Sequence, residues 1–232
     1  MIRHIRGAQQ ILTARTTAGG RSGDLAWLLV GLCASLGFVT LGCDPGGVGD
    51  PCIPEDEYRQ QVAGYGVTEV NVESRSFQCE TRVCLVNHFQ GRVSCPYGQT
   101  EAVAGECGAP GAGAACADRG DACRVPGTDG REDDERIVVP VDPQLVDRRA
   151  EDSVYCSCRC DGPDSNARYC ECPSGYACVE LVEDLQLDTG QGAGNLAGSY
   201  CIKDGTRYDQ TQRGGSSCDR GIANCGNDGD NP

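Results

Sequence analysis

The chain has 232 residues, 34 of them acidic against 20 basic, and a net charge of −14, which suits one ordinary domain or two small ones. Lys203 is the only lysine, and nothing resembles the clustered basic residues that grip phosphate, so no nucleic acid is expected as a partner. Eighteen cysteines stand out at once.

Residues 1–42 read as a signal peptide for export rather than as part of a fold. Arg3, Arg6, Arg15 and Arg21 put positive charge at the front, and Leu25 to Gly42 then runs 18 residues without a charge. That length also suits a short uncleaved transmembrane anchor. The stretch is dotted with glycine, however, and closes on Val39-Thr40-Leu41-Gly42-Cys43. This segment resembles the lipobox of bacterial diacylglyceryl lipoproteins, in which a small residue precedes an invariant cysteine. Gly42 and Cys43 fit that pattern, while Thr40 stands where an aliphatic residue is commoner. The resemblance implies lipidation at Cys43, a membrane partner through that anchor, and a place in the cell envelope, on the periplasmic face or the cell surface. Both readings leave the remainder of the chain on the same side of the membrane. With its glycine tether and dense cysteines, the chain is also similar to the Cys-rich lipoproteins of myxobacteria-type genomes, a likeness that implies an address and no activity.

Setting aside Cys33 and Cys43 leaves 16 cysteines in the 190 residues from Cys43 onward. In an exported chain this density reads as a disulfide framework, whereas in a cytosolic one it would suggest zinc. Val, Leu, Ile and Phe make up 29 of those 190 residues, against a net charge of −17. That share lies below the roughly 20% at which a highly charged chain is expected to be disordered. Cross-links must therefore supply what apolar burial does not. The expected fold class is a small, disulfide-rich body, mainly β and irregular, of two loosely separable cysteine modules.

In chain order, residues 43–50 form a glycine-rich flexible tether and 51–107 the first cysteine module. Val67 to Val72 alternates as a half-buried strand. Val83 to Val86 and Arg92 to Cys95 flank Phe89-Gln90-Gly91, the pattern of a β-hairpin. If Phe89 and Gln90 centre the loop, Cys84 faces Cys95 at a spacing a disulfide spans, so a Cys84–Cys95 bond is expected. A slip of the register toward Gly91 would instead send Cys95 to Cys79 or Cys107. Residues 108–150 read as a linker carrying an acidic loop and an edge strand, Ile137 to Val141, demoted by Pro140. The second cysteine module is 151–226, where Tyr155 to Cys160 places three sulfurs on one strand face. Val179 to Leu187 suits a strand or a short helix, Gly190 to Gly198 a loop, and 227–232 a disordered tail.

Chemistry is mostly marked by absence. His88 is the only histidine after the signal, and no G-x-S-x-G, H-E-x-x-H or phosphate-binding loop occurs. Cys156-x-Cys158 and Cys170-x-Cys172 lack the surrounding pattern of a thioredoxin-like site, so structural disulfides are expected. Cys170 to Tyr176 resembles the end of an EGF-like module over about nine residues, though Cys178 follows sooner than that family's last cysteine. No cofactor is expected; calcium is the metal to consider, with Asp161, Asp164 and Asn166, or Asn227 to Asp230, as oxygen ligands, neither at EF-hand spacing. These features favour a non-catalytic envelope lipoprotein that binds or organises an envelope protein or polysaccharide. A calcium-dependent adhesion or inhibitor module is one alternative. An envelope enzyme built around His88 or a pair of acids is the other.

Overall fold

Val83-Cys84-Leu85-Val86 is a β-favouring run with almost no polar interruption, the signature of a strand buried on both faces. In the computed structural model it becomes β2 (Val83–Asn87), paired antiparallel with β1 (Val70–Glu73) on one side and β3 (Val154–Ser157) on the other. The structure describes residues 45–109, 116, 119–128, 135–183, 196–209, 211 and 215–225. Expectations for the signal peptide and Cys43, for 110–115, for 129–134, for 184–195 and for the tail at 227–232 lie outside the described residues.

Register decides which side chains meet. Cys84 lies opposite Cys156, and Leu85 lies between Val72 and Tyr155. Side chains alternate across a sheet. Cys84 and Val86 accordingly face a core of Ile53, Tyr65, Phe89 and Val93, whereas Leu85 and Tyr155 face Tyr200 and Ile202. Those last two residues belong to a second antiparallel sheet of β4 (Arg159–Asp161), β5 (Tyr176–Val182) and β6 (Gly198–Lys203), ordered β4-β6-β5. The disulfide-rich, mainly β class is therefore what forms.

All sixteen cysteines after Cys43 are paired: Cys52–Cys84, Cys79–Cys156, Cys95–Cys123, Cys107–Cys116, Cys158–Cys170, Cys160–Cys178, Cys172–Cys201 and Cys218–Cys225. The expected Cys84–Cys95 bond is absent, because the hairpin that would have aligned it does not form. His88 (φ 52°) and Gly91 (φ 83°) take left-handed backbone, and Arg92 to Cys95 closes as a tight turn with Cys95 N–H donating to Arg92 O at 3.3 Å. A Cβ on Gly91 would sit 2.2 Å from Asp142 O, so only glycine fits that approach. Cys84 is left between Glu73 of β1 and Cys156 of β3 and bonds to Cys52 instead.

The turn is held by a buried ion pair. Glu57, on the 3₁₀ turn Glu55–Tyr58, and Arg92 are both 0% exposed. The Glu57 carboxylate accepts from Val93 N–H at 2.6 Å, Ser94 N–H at 3.0 Å and the Ser94 hydroxyl at 2.7 Å. Arg92 donates to the carbonyls of Val62, Arg59 and Glu57. Burial pushes the Glu57 carboxyl above the usual range against the pull of Arg92 and these donors. An uncompensated charge here would be costly. Each partner therefore holds the other in place.

The Tyr155 to Cys160 strand is broken at Cys158, where the chain leaves the first sheet and enters the second. Its three sulfurs consequently diverge to Cys79, Cys170 and Cys178. This crossing also removes the separability of the two modules. β2 of the first pairs with β3 of the second, Cys79–Cys156 bonds them, and Asp44–Pro232 forms one compact unit. The segment read as a linker is structural as well. It begins beyond α1 (Glu101–Cys107), whose N-cap is Thr100, its side chain accepting from Val103 N–H. Ile137 is 0% exposed, and the Gln99 amide donates to the Ile137 and Val139 carbonyls at 2.9 and 2.7 Å. The expected edge strand is thus an extended segment bridged at single points, at Arg136 and Val141, and packed inward.

Candidate binding cleft

β2 ends at Asn87, and the left-handed turn at His88 lifts the imidazole out of the sheet. Arg148, 1% exposed, locks this turn by donating to Asn87 O at 2.6 Å, His88 O at 2.7 Å and Thr206 O at 3.0 Å. The Thr206 contact draws the chain beyond β6 against the turn. Tyr208 then stacks on His88, with centroids 4.0 Å apart and planes 12° apart, and the Arg148 guanidinium lies 5.4 Å from the Tyr208 ring centre. Sequence reading singled out His88 but missed Arg148 and Tyr208, which stand 60 and 120 residues further on. No local pattern marks them. Arg148-Arg149 looks like an ordinary solvated charge pair.

This stack forms one wall of an open cleft of about 480 Å³, with Val179 and Leu181 of β5, Ile202 of β6, and the exposed Glu180 and Arg207 contributing the rest. His88 Nδ1 lies 3.1 Å from Val67 O. A carbonyl only accepts, so Nδ1 carries the proton and Nε2 keeps its lone pair. Burial holds His88 below the usual histidine range; the Arg148 charge acts the same way, and the Val67 bond opposes both. The ring is therefore neutral near pH 7. Among the described residues, the lining contains no serine, threonine or free thiol, since its Cys178 is bonded to Cys160. It offers an aromatic platform, an apolar floor, an acceptor nitrogen and one charge of each sign.

Of the calcium ligands considered from sequence, the described ones lie in exposed turns. Asp161, Asp164 and Asn166 are all exposed. Asp161 Oδ1 accepts from Gly162 N–H and Asp164 Oδ1 from Asn166 N–H, so both carboxylates cap their own turns. Asn227 to Asp230 lie outside the described residues. Among the described residues, the clusters of three metal-ligand types are all sulfur, such as Cys52, Cys79 and Cys156. Every one of those sulfurs is in a disulfide and offers no thiolate.

No protein-family model, no curated protein and no solved structure matches this chain.

Proposed function

We propose that the protein is an exported lipoprotein, anchored through Cys43, whose disulfide-built body binds another component of the cell envelope without catalysis. One observation carries this reading. The sixteen cysteines from Cys52 onward close entirely on one another, leaving no described cysteine as a partner for Cys43 at the end of the lipobox-like segment. Eight disulfides fit an oxidising compartment, and of the two cysteines left over Cys33 falls within the proposed signal while Cys43, beside Gly42, fits a lipid acceptor. The cleft beside His88 and Tyr208 offers the recognition surface that a binding role requires, with a protein or polysaccharide segment as its ligand.

The test is metabolic labelling with palmitate. The wild-type chain is expected to take up label and to shorten on processing, whereas Cys43→Ser remains as an unlabelled precursor. Equal labelling and processing of the two would remove the anchor from Cys43.

A further inference from the structure

Phe77 is 82% exposed, while Phe89, the other phenylalanine after the signal, is wholly buried. A single exposed apolar side chain is ordinary by itself, and it is the place of this one that carries weight. Its exposure does not follow from looseness of the loop. Cys79 is bonded to Cys156, and Gln78 clamps Ile53 from both ends, its Oε1 accepting from Ile53 N–H at 3.0 Å and its Nε2 donating to Ile53 O at 2.7 Å. Ser76 N–H donates to Arg82 O and Arg82 N–H to Cys79 O, both at 3.0 Å. The ring is held outward on a rigid tip, with the Arg82 guanidinium 4.1 Å above its centre and Arg75 exposed two residues away.

The position of this tip relative to the tether is the second observation. Gly46 N–H donates to Gln78 O at 2.7 Å, and Glu80 N–H donates to Gly46 O at 2.9 Å. The chain emerging from Cys43 thus docks alongside the very loop that displays Phe77. Only Asp44 and Pro45 lie between Cys43 and Gly46, and three Cα–Cα steps cap their distance at about 11 Å even when fully extended. Whatever holds Cys43 must lie close to Phe77. The body carries a net −17, and within residues 75–82 Arg75 and Arg82 outnumber Glu80, with the exposed Asp50 carboxylate beside the docked tether, where it accepts from Gly47 N–H.

We infer that Phe77, flanked by Arg75 and Arg82, inserts into the headgroup region of the bilayer that holds the Cys43 anchor, fixing the orientation of the body on the membrane. The inference rests on the lipidation proposed above. Aromatic rings favour the membrane interface, and arginines beside them meet anionic headgroups. The diacylglyceryl group holds the chain to the bilayer, and a docked tip selects which face of the body meets it.

The test uses the full lipidated protein, reconstituted into vesicles of phosphatidylethanolamine and phosphatidylglycerol with brominated acyl chains. Trp27 leaves with the signal, so Phe77→Trp carries a single tryptophan. Ile222→Trp, at a 71% exposed position on the loop closed by Cys218–Cys225, serves as the comparison. Palmitate labelling is recorded on the same samples. With label present, the Phe77→Trp emission is expected to shift to the blue and lose more than half its intensity to the brominated lipid, while the Ile222→Trp emission keeps its intensity. Labelled protein whose Phe77→Trp emission is water-like, or quenched no more than that of Ile222→Trp, overturns membrane docking and leaves the anchor standing. Protein without label overturns the anchor and the docking together.

Discussion

Arg92 and Arg148 are buried side chains in a protein that contains few large apolar ones, and each donates mainly to backbone carbonyls. A guanidinium offers five donors in a flat fork, which satisfies the carbonyls of irregular loops that no sheet can pair. Two arginines thereby make burial of the 57–62, 87–88 and 206 backbone tolerable. His88 depends on one of them, and its environment has a pH consequence. Its folded pKa is lowered, by burial first and by Arg148 as well. Below about pH 6.5, the ordinary histidine value, the unfolded chain therefore binds the proton more readily than the folded one. Stability is full above that pH and declines as pH falls toward the lowered folded value, where the decline from this group ends. Urea midpoints measured across this range should fall on acidification, and the fall should be shallower in His88→Asn. An identical slope in the variant would assign the pH dependence to another group.

At the scale of elements, β2 and the crossing at Cys158 organise everything else. β2 gathers β1 and β3 into one sheet, and the chain past Cys158 delivers β4 to the other. The Cys79–Cys156 bond closes a 77-residue span between the two halves, whereas Cys218–Cys225 closes only 7. Chain-entropy arguments assign the long link about 4 kcal/mol and the short one about 2.4 kcal/mol, the long value being reduced for shortcuts through other bonds. The double variant Cys79→Ala/Cys156→Ala should therefore lose markedly more stability in denaturant titration than Cys218→Ala/Cys225→Ala. Equal losses would mean that packing between the sheets, rather than this link, joins the halves.

For the whole molecule, cross-links replace the missing core. Among the described residues, most buried apolar side chains fall into four small clusters, every one of which includes cysteine or stands against a cystine-bearing strand. Clusters of that size offset the ordering entropy of the chain poorly on their own. Denatured without reductant, the body from Cys52 onward should take up no thiol-alkylating reagent. In excess reductant it should lose its circular dichroism signature and its protease resistance. Protease resistance that survives full reduction would show that apolar packing suffices.

Composition alone was enough to read the disulfide-rich, mainly β class, because cysteine density and scarce aliphatic residues leave no other source of stability. Local alternation likewise marked Val70 and Val72 as one face, and the structure packs both against Leu85 and Tyr155. Pairing was not legible. Cys84 and Cys95 looked like partners from a hairpin register, but a disulfide joins whatever the tertiary fold brings within reach, and Cys52 arrives there from 32 residues away. Nor was the cleft legible beyond His88, since Arg148 and Tyr208 reach it through side-chain contacts between segments 60 and 120 residues apart. Side-chain periodicity reports the environment of one strand. Which distant segments supply that environment is set by the three-dimensional packing of the whole chain.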